Sequence, residues 1–514
     1  MTPWPGWVST AVVAVEVAIL LVAARPAARI LGKPAFRREC RERPLAALSV
    51  ATGLLVAGVG SLGHIAQSAV SRLTVIVAAA SVALLAWFRA RPAYGRRRGL
   101  PPGSLGMSHS LDAIGMPGFY RDAAARWGSV FKMSQFGRPV VCITDLSRGF
   151  AFLRANESRL VQSGWAFNRL LPGGYLEFMN GEQHRRYRSI FEPAFTGLAG
   201  TDCQQAIRQG IARHLRVVSR GAGGQAVPWT RVVDHAALLS VLQMVLGVAG
   251  DDPRVARFEA LLSQLTDRPR HFLPVPQRFR TSAQEMSRAV QELVESLKVS
   301  RREDGTPPSV LSGLLAPSAD SMPEPVIVSN LVFMVSDGGA MMRRLLGWLL
   351  TYVCEHPAAM EAIRAEGTGA LQGATSRFVA ETLRLHASEF VYRVTREACT
   401  LGAFRIPQGW LVRVCVREAH RQACHFPEPD RFDPSRFATT PAAGTYAPFG
   451  DGAHACFPAP AVLAAASGFV RELAESYTCR TAADAPAARV NRHWGFWEPG
   501  AGFRLYLTPR EGLS

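Results

Sequence analysis

The sequence predicts a mainly α-helical domain with small β-sheets, preceded by about three membrane-spanning helices. Three observations predict it. Apolar positions recur at helical spacing at 119–127, 182–195, 203–218, 255–265, 283–299, 325–355, 376–385 and 460–477. Short strand-like runs intervene at 130–133, 140–144, 391–397, 410–416 and 503–507. The first hundred residues instead carry three long apolar runs flanked by arginines.

Composition bounds the answer. The 514 residues leave room for several average domains, or for one large domain with appendages. A 48% hydrophobic content supports a large core and excludes a disordered chain. The nine cysteines are odd in number and form no CxxC pair, which argues against a disulfide framework or a zinc site and suits a reducing compartment. The net charge is +18, and residues 1–98 hold 13 Lys/Arg against 3 Asp/Glu. That excess lies beside the apolar runs, so it points to a membrane surface rather than to nucleic acid.

The candidate spans are 8–24, 45–69 and 71–88. A crossing helix needs about 20 apolar residues, and a shorter run is more often a core helix or part of a signal peptide. The start lacks a basic leader. Arginines cluster between the first and second runs and again after the third, with only Arg72, at the interface end of the third, between those clusters. Positive-inside placement puts both clusters in the cytoplasm, together with everything after residue 98. The expectation is a multi-pass membrane region, 1–98, in which Glu16 is costly unless it faces another helix or a partner. "GLPPGSLG" at 99–106 cannot continue a helix and reads as a stiff hinge to the domain at 107–514.

Three motifs in that domain carry chemistry. "FGDGAHAC" (449–456) puts Cys456 behind Phe449 in a turn whose glycines let backbone approach a flat group closely. Read alone, it is either a buried free cysteine or a thiolate donor to iron. "ETLR" sets Glu381 and Arg384 on one helix face, either as a solvated surface bridge or, with Arg436 in "FPEPDRFDPSRF" (426–437) as a second cation, as part of a buried charge network. "GEQHRRYRSIF" (181–191) sets His184 and Arg188 four residues apart, either as a solvated basic face or as a binder of paired carboxylates.

In this order and spacing the motifs FxxGxHxC, ExxR, "FDPSRF" and HxxxR resemble the cytochrome P450 family, of bacterial type with a multi-span anchor added. The resemblance runs from about residue 99 to the C-terminus. It implies the P450 fold, heme b (iron protoporphyrin IX) and a monooxygenase of the EC 1.14 class. It implies Cys456 as axial ligand and His184, Arg188, Arg393 and His454 as propionate partners, with Phe449 beside the cysteine. Glu381, Arg384 and Arg436 become a structural triad. The substrate walls are expected at 162–178, 333–342, 390–394 and 492–496.

Two departures stand out. Counting back from His356-Pro357, the family's acid–threonine pair falls on Ala340 and Met341, neither of which carries an acidic proton. Asp337, one turn earlier, either replaces that function or only lines the pocket. Pro458 stands where the family has glycine, and proline has no N–H to offer the cysteine sulfur. The expected function is oxidation of an apolar or amphipathic small molecule by dioxygen, with electrons from a separate ferredoxin or reductase. Such acidic partners suit a basic chain. The lost acid–threonine pair keeps open peroxide-driven oxidation, oxidative coupling or rearrangement. A heme-binding scaffold without catalysis is the reading from outside enzymology.

Overall fold

The computed structural model describes residues 99–510, except 106–112, 114–115, 117, 136–137, 163–169, 172, 266–276, 301–307, 317–321, 367–372, 387, 389, 484–490 and 494–495. The three apolar runs at 8–24, 45–69 and 71–88 lie outside the described residues. The helices are α1 (Phe119–Trp127), α2 (Leu146–Ala155), α3 (Gly181–Thr196), α4 (Thr201–Ala222), α5 (Trp229–Leu246), α6 (Arg254–Leu265), α7 (Gln277–Ser300), α8 (Val310–Leu314), α9 (Glu324–Phe333), α10 (Gly339–Glu355), α11 (Pro357–Ala365), α12 (Ala374–His386), α13 (Val416–Ala419) and α14 (Ala459–Ser476). The strands are β1 (Val130–Gln135), β2 (Arg138–Ile143), β3 (Leu160–Val161), β4 (Val227–Pro228), β5 (Val391–Thr395), β6 (Cys399–Leu401), β7 (Phe404–Ile406), β8 (Leu411–Val414), β9 (Tyr477–Thr481), β10 (Asn491–His493), β11 (Phe496–Glu498) and β12 (Arg504–Pro509).

The chain divides into two compact units, the larger formed by Ile143–Arg270, Val275–Cys399 and Val412–Ser514. In the smaller unit, β1 and β2 are sheet neighbours behind α1. The stretch read as a hinge is stitched to this unit. Lys132 N donates to Pro102 O at 2.7 Å, and Arg405 N donates to Gly99 O at 2.7 Å. Gly103 has φ +113°, and a Cβ there would sit 2.2 Å from Lys132 O, so only glycine permits the approach.

The larger unit is a helical body with small sheets. In one sheet β3 runs antiparallel to β5, Leu160 opposite Thr395. β12 is flanked by β4 and β9, both antiparallel to it, and β10 pairs with β11 as a hairpin. α5 packs between α4 and α10, and α14 packs on α4. In α5, 14 of 18 residues are buried, so it has no polar face and no helical period to read.

The segment expected as one helix at 325–355 is α9, a wider π turn at Met334–Gly338, and α10. Among the described residues only Glu324–Glu355 is long and apolar enough to cross a membrane, and half of its most apolar window is buried in the protein. The run read as a strand at 410–416 ends at Val414. Cys415 N donates to Ile143 O at 2.8 Å, and the chain then turns into α13.

Candidate active site

The cysteine loop is held by its own backbone. Gly450 and Gly452 have φ +76° and +77°, the left-handed region that favours glycine. Asp451 accepts from Gly452 N at 2.7 Å and pairs with Arg154. Ala455 N donates to Gly452 O at 3.0 Å, and Cys456 N donates to Phe449 O at 2.9 Å. Arg188 of α3 ties the loop from outside by donating to Ala453 O at 2.7 Å and Ala455 O at 2.9 Å. Pro458 is the N-cap of α14. Ala459 N donates to Cys456 O at 3.3 Å. Pro458 and Pro460 have no N–H, so of the first four residues after Cys456 only Phe457 keeps an uncommitted backbone donor.

The loop opens into a cavity of about 560 Å³ within the larger unit, lined by Cys456, Phe449, His184, Arg188, Arg393 and His454 among others. Cys456 is exposed and lines this cavity. Burial first, then the Glu177 carboxylate, push its thiol up to about 12, with Asp337 adding to the rise and Arg188 opposing it. The histidine rings of His184 and His454 stack at 3.8 Å, tilted by 25°. Burial, then Arg188 and Arg393, hold His184 down to about 4. Burial, then Arg393 and His184, hold His454 down to about 3. His184 Nδ1 is buried without a hydrogen-bond partner. Arg393 is lowered by its burial, and it donates to Gln162 Oε1 and to Tyr392 O. Two neutral histidines and two arginines thus line the cavity together with the Glu177 carboxylate, and Arg188 Nε also lies 3.5 Å from Glu192 Oε2.

The ETLR motif forms a closed network. Arg384 donates to Glu381 through Nε at 2.6 Å and Nη2 at 2.8 Å, and both side chains are fully buried. Its other protons go to the carbonyls of His420, Pro429 and Arg431. Asp433 N donates to Glu381 Oε1 at 2.8 Å, and Arg436 Nε lies 3.4 Å from the same oxygen. The structure therefore brings the three residues together, and the network sits outside the cavity lining.

From the helical wall, Phe333, Met334, Asp337, Met341 and Met342 line the cavity, whereas Ala340 does not. Asp337 lies in the π turn. Of the other expected walls, Tyr175–Phe178 and Phe390–Arg393 line the cavity, while 163–169 and the side chains at 491–496 lie outside the described residues. Sequence reasoning missed Val241, Met244 and Val245 of α5 and Trp497 of β11. The continuous apolar run "ALLSVLQMVL" was the only signal for the first three.

A family profile for cytochrome P450 matches residues 105–457. The chain belongs to the cytochrome P450 family. It is a P450-type oxidoreductase of the monooxygenase class, and its cofactor is heme b. Abscisic acid 8'-hydroxylase 3 of Oryza sativa subsp. indica is 23% identical over 398 residues, covering 71% of this chain and 78% of that protein. Abscisic acid 8'-hydroxylase 2 of Arabidopsis thaliana is 23% identical over 395 residues, with 70% and 80% covered. The P450 fold matches a cyanobacterial P450, CYP120A1, with retinoic acid bound, at TM-score 0.65 and 18% identity, covering 80% of this chain and 99% of that one. These similarities do not single out bacterial members. The residues present fit the cofactor: an open thiol, and a cationic pocket with an orphaned buried histidine nitrogen that suits carboxylates.

Proposed function

We propose that this P450 inserts one oxygen atom from dioxygen into an unactivated bond of an apolar or amphipathic small molecule, using electrons from a separate ferredoxin or reductase. One observation carries the reading: the Cys456 thiol, the His184/His454/Arg188/Arg393 pocket and an apolar helical wall all face one cavity. In this reading Cys456 would hold the heme iron through its sulfur, Phe449 would pack beside it, and Arg188, Arg393, His184 and His454 would hold the heme propionates. The propionates would give His184 Nδ1 the hydrogen-bond partner it lacks. Bound heme supplies the redox chemistry that splits dioxygen. The chain's own task is to hold the substrate and pass protons. Met341 faces the cavity with no proton to give, and Asp337, in the same lining, would pass protons through water. Glu381, Arg384 and Arg436 hold the fold from behind. Abscisic acid hydroxylation and retinoic acid binding by the similar proteins support an amphipathic substrate. Residues 1–98 would serve as a multi-pass anchor that keeps the domain on the cytoplasmic side.

The lost acid–threonine pair favours a second reading, in which peroxide drives oxidation, coupling or rearrangement. The reduced, carbon-monoxide-bound spectrum tests the shared basis: a strongly red-shifted Soret band is expected, and its absence in fresh preparations sinks both readings. Turnover that requires dioxygen and electrons, and is not supported by peroxide, selects the first.

A further inference from the structure

Two guanidinium groups are buried behind the cavity wall. Arg413 of β8 lies over the Phe390 ring at 4.1 Å, and Arg417 of α13 lies over the Trp497 ring at 4.7 Å. Phe390 and Trp497 line the cavity, whereas the arginines do not. Arg413 is 6% exposed and Arg417 8%, so each charge has been moved out of water to sit on an aromatic face. Arg417 also donates to Glu418 Oε1 at 2.9 Å.

The backbone around Trp497 is fixed by other means. Trp348 Nε1 donates to Trp497 O at 2.8 Å. Arg343 Nη1 donates to Glu498 Oε2 at 2.7 Å, and Trp229 Nε1 donates to Gly500 O at 3.2 Å. These contacts hold the strand end to α10 and α5 and say nothing about the indole. The contact with Arg417 acts on the ring itself. With one face covered by a guanidinium, each ring meets the cavity with its other face or its edge. The attraction of its quadrupole for positive charge is then already engaged.

Resting on the heme-monooxygenase reading above, we propose that Arg413 and Arg417 are positioning residues that set the cavity's selectivity. They hold Phe390 and Trp497 as two fixed flat walls, and the ring faces they already engage disfavour cationic substrates. The favoured class is a neutral or acidic molecule with a flat unsaturated portion, which packs on such rings by offset stacking.

The test uses the full-length, heme-loaded protein and two probes read by the Soret shift. Imidazole reports on the heme site alone, and 4-phenylimidazole also needs the walls. In Arg413→Met and Arg417→Met the Kd for 4-phenylimidazole should rise about tenfold while that for imidazole moves less than about twofold. The Lys variants should recover most of the loss. In a Trp497→Leu background, Arg417→Met should add nothing, because its effect passes through the ring. An aminomethyl derivative of 4-phenylimidazole should bind the wild type more weakly than its parent, and the gap should narrow in the Met variants. Parallel weakening of both small probes, no change in either, or a full Arg417→Met effect without Trp497 overturns the proposal. A wild type that gives no Soret shift with imidazole overturns the heme reading, and this proposal with it.

Discussion

The cysteine loop and the α9–α10 wall face one cavity but are built by different means. The loop is a backbone construction: positive-φ glycines, a carboxylate cap and carbonyls gripped by Arg188. The Glu381–Arg384 network holds the neighbouring chain to α12 in the same saturated way. The helical wall is a side-chain construction, in which backbone pairing is intrahelical and the cavity sees whatever residues the helix carries. Changes in the first region are therefore paid in folding, and changes in the second alter chemistry at nearly constant fold.

The comparison can be broken from either side. The largest effect is expected at Arg384→Met, which leaves Glu381 buried without its main partner. Stability should fall by about 3–5 kcal/mol in denaturant unfolding, with heme loading lost in parallel. A soluble, loaded variant of normal stability would show that the network is dispensable. Next comes Asp337→Asn in the wall. Dioxygen-dependent turnover should fall about a hundredfold with an unchanged melting temperature. A matching loss of stability would make Asp337 a structural residue.

A third outcome concerns pH. His420 is buried, and its Nε2 accepts from Ala447 N at 2.9 Å. Burial first, then Arg384 and Arg421, press its pKa from 6.5 down to about 3. The unfolded chain binds this proton below 6.5 and the folded chain does not. Stability is therefore full above pH 6.5 and falls as pH drops toward 3, by about 1.4 kcal/mol per unit for this group. His420→Gln should flatten the unfolding free energy against pH by up to one proton, and an unchanged slope would exonerate the residue. The smallest effect is expected at Pro458→Gly, which restores a backbone donor near the sulfur. The heme reduction potential should rise by roughly 50 mV, the one-electron equivalent of about 1 kcal/mol. An equal or lower value would mean that the proline does not tune the sulfur.

Much of this was legible in the sequence because it is local. The cysteine turn announces itself through Gly450, Gly452 and the prolines, and α3, α4, α7, α12 and α14 through amphipathic spacing. The i, i+3 spacing of Glu381 and Arg384 was readable, but their complete burial was not, since the carbonyls that saturate them come from 36 to 47 residues away. α5 escaped because a helix buried all round has no period. Nothing in the local sequence singled out Arg413 or Arg417. Only the tertiary fold brings Phe390 and Trp497 beneath them.

The π turn at Met334–Gly338 also works as a correction of pitch. Residues four apart on an α-helix drift about 40° around its axis, so three such steps would carry the row about 120° off its starting line. Yet Phe333, Asp337, Met341 and Leu345 all look into the same cavity. The wider turn winds more slowly and cancels part of the drift. One stretch of loose thread lets a single helix present an unbroken row of side chains along the whole cavity.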